Sequence, residues 1–420
     1  MKTSIPAGLS LAAWWCVACG GGAPGGGGEW TGSVSDSAGI AVVTNPATGT
    51  WTDENRWTLT EDLRIGTSGG EAIYQFGRIS GIAPLPDGRL VVVDQQAQEV
   101  RIFSPGGEHL RTLGGPGSGP GEFGNQAGPA LIGVGDTIFI PDLANQRVNR
   151  FTPEGEPLGS FALDLSAGFP IAWQDDGTGR IVSQTRPLNL PGQQADSMDL
   201  FVRRGAGGAI TDTLFSVPSG RTFSFGEGGP SFQFFSPEPI WALVGDSRLL
   251  FGVNDAYSLT LYGPDGTPER IIRMPYERRP VTEADQELIN DAMVRLWREF
   301  GLSGPQLEAM RAGIGFAEFY PAFAIVQGGP GGSIWVQHLQ LPGDLTAEER
   351  EDFNPGLGFG SSTWDVFDPE GRYLGPIEMP ARFQPIRFVD DRIYGIWRDE
   401  LDVQYVLVLR LHTGGDEPVG

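Results

Sequence analysis

Residues 90–94 (LVVVD) and 100–108 (VRIFSPGGE) return later in the chain as residues 138–142 (IFIPD) and 148–156 (VNRFTPEGE). Asp94 and Asp142, Phe103 and Phe151, and Gly107 and Gly155 are separated by one and the same interval, so one unit is repeated without insertion. A period in the range of about 20–50 residues, built from short apolar runs and Gly/Pro turns, points to radially repeated β units rather than to a conventional core. Within one period, residues 79–85, 89–93, 99–103 and 109–113 read as four strands joined by tight turns at Pro86-Asp87-Gly88 and Pro105-Gly106-Gly107. That is one four-stranded antiparallel blade.

The same pattern recurs with falling fidelity. Blade two spans 130–163, blade three 170–215, blade four 239–266 and blade five 321–371. Blade six has runs at 386–389, 392–397 and 403–411 and is one strand short. The missing strand lies at the other end of the chain. Leu63-Arg64-Ile65-Gly66 with Phe76 echoes Arg111-Thr112-Leu113-Gly114 with Phe123, so residues 57–65 are expected to complete blade six and close the ring. The expected fold is therefore all-β, a six-bladed propeller over 39–411 closed by an N-terminal strand. Residues 40–43 are expected either to add a further edge strand or to remain peripheral. Between blades four and five, about 281–318, Thr282 and Asp285 have capping-box spacing, and Ile289, Met293, Leu296, Trp297 and Phe300 follow at helical period, which predicts a helical insertion.

The run Gly114-Gly115-Pro116-Gly117-Ser118-Gly119-Pro120-Gly121-Glu122-Phe123 between blades one and two resembles the linkers of NHL-type repeats, in particular those of bacterial six-bladed β-propeller lipoproteins. The resemblance covers most of 57–411. It implies the fold and no activity, because propellers carry many functions. The N-terminus agrees with it. Residues 1–18 read as a signal peptide, and Val17-Ala18-Cys19 resembles a lipoprotein processing site, with Cys19 as the lipidated residue. Residues 19–38, rich in glycine, read as a tether, and 412–420 as a flexible tail. The expected location is the bacterial envelope, lipid-anchored, at the outer membrane and facing the periplasm or the surface, with no membrane contact other than the lipid.

Cys16 and Cys19 are the only cysteines, so the body holds no disulfide, thiolate nucleophile or structural zinc site. The net charge is −23 and the only lysine is Lys2, which excludes nucleic-acid binding through a basic surface. No EF-hand loop occurs, so no cofactor is expected and calcium could bind only at a scattered site.

Antiparallel blades sort their connections onto two faces. The tight turns share one face. The long excursions at 183–198, 217–238, 274–320 and 338–363 share the other, where binding is expected. The residues closing the second strands, Asp94, Asp142, Gln184, Asn254, His338 and Arg398, are expected to ring the channel mouth on that face. Trp173, Trp241 and Trp335 are expected in the inter-blade core. The expected function is non-enzymatic binding of a protein or small polar ligand by a monomer. The alternative is a metal-dependent propeller hydrolase, lactonase or lyase with its site at the channel mouth, since the resemblance also touches propeller enzymes of those kinds.

Overall fold

The computed structural model describes residues 28–414, except 177–178, 188–197, 206–207, 220–222, 227–228 and 352. The signal segment, Cys19, the start of the tether, most of the 183–198 excursion and the end of the tail lie outside the described residues.

Six four-stranded antiparallel units follow one another around a ring. Blade one consists of Ile79–Pro84, Leu90–Asp94, Glu99–Phe103 and His109–Gly114, with the chain order preserved in space. First strands of neighbouring blades lie against each other, as Pro239–Val244 does against Val326–Gly328 and Phe383–Val389 against Ile79–Pro84, so they form the inner wall. Fourth strands form the rim. Ring closure is as expected: Thr58–Ile65 pairs antiparallel with Gln404–His412, from Thr58 opposite His412 to Ile65 opposite Val406. Every blade edge facing the closure is thereby paired within the chain, which removes an aggregation-prone edge.

The repeat period has a packing cause. The glycine after each 3–4 turn sits on the last strand of the preceding blade, with φ +84° at Gly155 and +77° at Gly371. A Cβ there would lie 2.6 Å from Leu113 Cδ2 or 2.6 Å from Ile272 Cγ1, so both conformation and space demand glycine. The linker run is built by its own hydrogen bonds. Phe123 N donates to Gly115 O at 2.9 Å, Glu122 accepts from Gly119 N at 2.7 Å, and the Phe123 ring is fully buried between blades one and two.

Two expectations need correction. The tether does not extend to residue 38. Ser33–Ser37 is a strand paired with Ile40–Thr44, which itself adds in parallel to the rim strand Pro268–Arg273 of blade four. The unpaired edge of that rim strand supplies the hydrogen bonds, and burial of Val42 and Val43 supplies the apolar gain. Asn45 then donates from Nδ2 to Gly371 O at 2.9 Å and accepts at Oδ1 from Tyr373 N at 2.8 Å, and Trp51 N donates to Leu374 O at 2.8 Å. Residues 28–57 are thus a strap along the rims of blades four and five. Blade five also begins later than expected, at Val326–Gly328. Pro321 has no N–H to give a ladder, and Ala322 N donates instead to Asn254 O of blade four at 2.7 Å.

The excursions converge. Phe223–Gly226 and Gly229–Phe234 form a hairpin that pairs in parallel with Ile314–Phe316. Helices α1 (Glu283–Glu299) and α2 (Gly304–Ala312) pack on it, and Thr282 and Asp285 form the expected capping box. Phe234, Ile289, Met293, Trp297, Leu307 and Leu341 bury a separate apolar core, to which Phe353 and Phe359 from the blade-five excursion contribute. Insertions distant in sequence thus build one cap on one face. Trp335 and Trp241 are buried between blades as expected, while Trp173 is partly buried beneath the Arg204 guanidinium, 4.8 Å from its ring.

Candidate functional site

The strand-closing residues do not form a ring. Asp94 is fully buried and accepts from the amides of Gly77, Arg78, Gln96 and Ala97 at 3.0 to 3.2 Å. Asp142, its repeat partner, accepts from Gly124 N at 3.1 Å, Asn145 N at 3.3 Å and Asn145 Nδ2 at 2.7 Å. Both carboxylates bind the incoming linker to the outgoing loop. Gln184 donates to Asp199 at 2.7 Å and accepts from Trp241 Nε1 at 2.9 Å. The reason is positional: second strands lie one place outward from the axis, so their ends meet the inter-blade connections.

First strands reach the axis instead. Arg387 of blade six donates to both carboxylate oxygens of Asp175 in blade three, at 3.0 and 2.6 Å, and at 3.4 Å to Ala130 O of blade two. Blades three and six oppose each other in a six-membered ring, so this bidentate pair bridges the channel. Neither residue has a motif around it that could have announced this.

Asn254 and Arg398 do come together. They line a cavity of about 760 Å³ on the insertion face, between blades four, five and six and beneath the cap. Glu238 and Ile240 come from blade four, Gln337 from blade five, and Phe383 and Gln384 from blade six. Phe235 and Phe359 come from the cap. Asn254 is committed to structure, accepting from Glu238 N at 2.8 Å and donating to Phe323 O at 3.0 Å. Arg398 is less committed. Its side chain is 16% exposed, and its Nε lies 3.4 Å from Asp402, whose side chain is 75% exposed, an ion pair that solvent weakens. Phe235 adopts φ +61°, which costs roughly 1–3 kcal/mol. Its ring is held against Tyr320 at 4.5 Å and Phe359 at 4.7 Å. The lining is mixed: Phe235, Ile240, Phe359 and Phe383 give apolar surface, and the carboxylates of Glu238, Asp399, Glu400 and Asp402 share the cavity with the guanidinium groups of Arg382 and Arg398. A concave site with both apolar surface and convergent polar groups is a candidate ligand pocket.

His338 faces elsewhere, into a cavity of about 330 Å³ between blades four and five. Its Nε2 lies 2.9 Å from Asp365 Oδ2, which also accepts from Tyr257 OH at 2.7 Å, while Oδ1 accepts from Tyr373 OH at 2.7 Å. Burial alone would favour the neutral Asp365 acid. The hydrogen bonds and charge of His338 and the two phenols outweigh it and hold the carboxyl below its ordinary range. Burial likewise opposes the His338 cation, and the hydrogen bond and charge of Asp365, then the charge of Glu378, lift it above 6.5. Tyr257 and Tyr373 are raised by burial and by the same carboxylate, so both stay protonated donors. Asp365 and the tyrosines lie on three different strands or loops, and their spacing carries no signal in the sequence. Among the described residues, no group of three or more His, Cys, Asp or Glu side chains is placed to hold a metal ion.

The comparisons establish the class of fold. A protein of Bacteroides fragilis classed as exported shares 13% identity at a TM-score of 0.52, over 88% of this chain and 99% of that one. A virginiamycin B lyase of Staphylococcus aureus (12% identity, TM-score 0.40, 84% and 99% covered) is more distant. So is a gluconolactonase of Xanthomonas campestris (12% identity, TM-score 0.42, 84% and 99% covered). No protein-family model and no curated protein matches the chain. At such identity the likeness establishes a six-bladed propeller and nothing of the chemistry.

Proposed function

We propose that this protein is a non-enzymatic binding module of the bacterial cell envelope, belonging with the NHL-like propeller lipoproteins. It recognises a small polar ligand or a protein segment in the larger cavity, beside Arg398. The observation that carries this reading is the cap. Separate insertions share one apolar core and roof a cavity that contains Arg398, a partly buried cation whose protein partner is solvent-exposed. A ligand acid or carbonyl can displace Asp402 at little cost, with its apolar part on Phe235, Phe359 and Phe383. Cys19, lipidated, and a tether shortened to the residues before the strap would hold the cavity near the membrane.

The test is a thermal-shift screen of the full chain against sugars, amino acids and dipeptides. At least one compound is expected to raise the melting temperature saturably, and Arg398→Ala and Phe359→Ala are expected to abolish that shift. Stabilisation that survives both substitutions would overturn the placement of the site. Turnover of a lactone or ester that a chelator abolishes would instead establish the metal-dependent hydrolase, lactonase or lyase alternative.

A further inference from the structure

The smaller cavity, beside His338, plays no part in the reading above, yet its polar groups are unbalanced. The carboxylates around it are already served by the protein. Asp365 accepts from three side chains, Asp285 from the Thr282 amide and hydroxyl at 3.1 and 2.6 Å, and Glu378 from the hydroxyls of Ser362 and Thr363 at 2.9 and 2.7 Å. Asp344 is the exception: it is 57% exposed and makes only a long contact, 3.7 Å, with the Arg279 guanidinium. The donors are not so served. His338 uses Nε2 on Asp365, and its Nδ1 has no hydrogen bond to the described residues; Arg279 makes the single long contact with Asp344. His338 is 42% exposed on its side chain and Arg279 60%, and both line the cavity. Between them the wall is aromatic and apolar, with Tyr276, Tyr320, Met274 and Leu341.

A donor-rich cavity with an apolar wall is complementary to an acceptor on an apolar body. We propose that this cavity is a second ligand site, for a small aromatic or alkyl carboxylate held by His338 Nδ1–H and Arg279. Asp365 acts as the positioning residue: by accepting from Nε2 it fixes the ring, so that the protonated imidazole presents Nδ1–H to the ligand. The net charge of −23 opposes an approaching anion at long range, but at physiological ionic strength that field is screened within about 8 Å, and contacts inside the cavity decide. Binding favours the His338 cation. Asp365 and Glu378 support that cation, Tyr257 and Tyr373 face it uncharged, and Arg279 lines the same cavity as a like charge. Affinity therefore falls as pH rises through the raised His338 value.

The test is calorimetric titration of the full chain with sodium benzoate and sodium 3-phenylpropionate, beside benzamide and benzylamine, at acid and alkaline pH. The carboxylates are expected to bind saturably, at least tenfold more tightly at about pH 6 than at about pH 9, and at least tenfold more tightly than the amide or the amine. His338→Gln keeps a donor for Asp365 but loses Nδ1–H, and is expected to weaken binding tenfold or more while staying folded by circular dichroism. Arg279→Gln, at an exposed position, gives the same readout should His338→Gln not fold. Arg398→Ala is expected to leave this binding unchanged, which separates it from the larger cavity. No saturable carboxylate binding, equal binding of benzamide, or full affinity in Arg279→Gln would overturn the proposal.

Discussion

At the scale of residues, the polar side chains divide into those consumed by the scaffold and those with capacity left over. Asp94 and Asp142 are repeat-equivalent and equally consumed, because each incoming linker exposes amides that need an acceptor. His338 and Asp365 behave differently, and their titration is measurable. Asp365 has a lower value folded than unfolded, so its contribution to stability is present above 3.8 and is lost as pH falls through the folded value. His338 has the opposite sign: its contribution is complete below 6.5 and is lost as pH rises through the raised folded value. Thermal melts of the native chain and His338→Gln should therefore differ most near pH 6, and the difference should narrow toward about pH 9. A gap that stays constant over that window would contradict the pairing. The position of His338 near the end of a second strand was legible in the sequence; its partner was not, because Asp365 and the two tyrosines that donate to it come from two strands and a loop that meet only after folding.

At the scale of elements, the N-terminal segment serves two purposes that truncation can separate. Thr58–Ile65 closes the ring, while Ser33–Ser37, Ile40–Thr44 and Trp51 cover rims that are already complete. Removing residues up to 48 should lower the melting temperature by several degrees and leave one cooperative transition, since it strips an edge addition and the burial of Val42 and Val43. Removing residues up to 65 should give an open blade six that associates through the freed edge of Gln404–His412, seen as high-mass species in light scattering. A monomeric, cooperatively folded product of the longer truncation would refute closure as the stabilising step. The closing strand could be read because its partner's pattern was incomplete, and an edge strand at 40–43 was legible from its apolar run; Ser33–Ser37 was not, because it is polar and exposed and is a strand only as the partner of Ile40–Thr44, which the distant rim of blade four holds in place.

At the scale of the whole molecule, Arg387 and Asp175 tie opposite blades across the axis. The Asp175 side chain is fully buried, so Arg387→Ala leaves an acid in the interior without its main partner and should cost about 3–5 kcal/mol. The double change Asp175→Asn with Arg387→Met removes both charges and should cost clearly less than the two single changes added. Denaturant midpoints check this, and strict additivity would show that the pair does not act as a unit. By itself the sequence determined the blade, the number of blades, the closing strand and the face that carries the insertions, because a repeated local pattern of strands and turns reports neighbour contacts that recur from blade to blade. Only the tertiary structure decided which polar groups meet. The cavity around Arg398, the cluster around His338 and the bridge at Arg387 each assemble from blades or insertions far apart in the chain. Their geometry depends on how the ring curves and where the cap settles, and no local pattern encodes either.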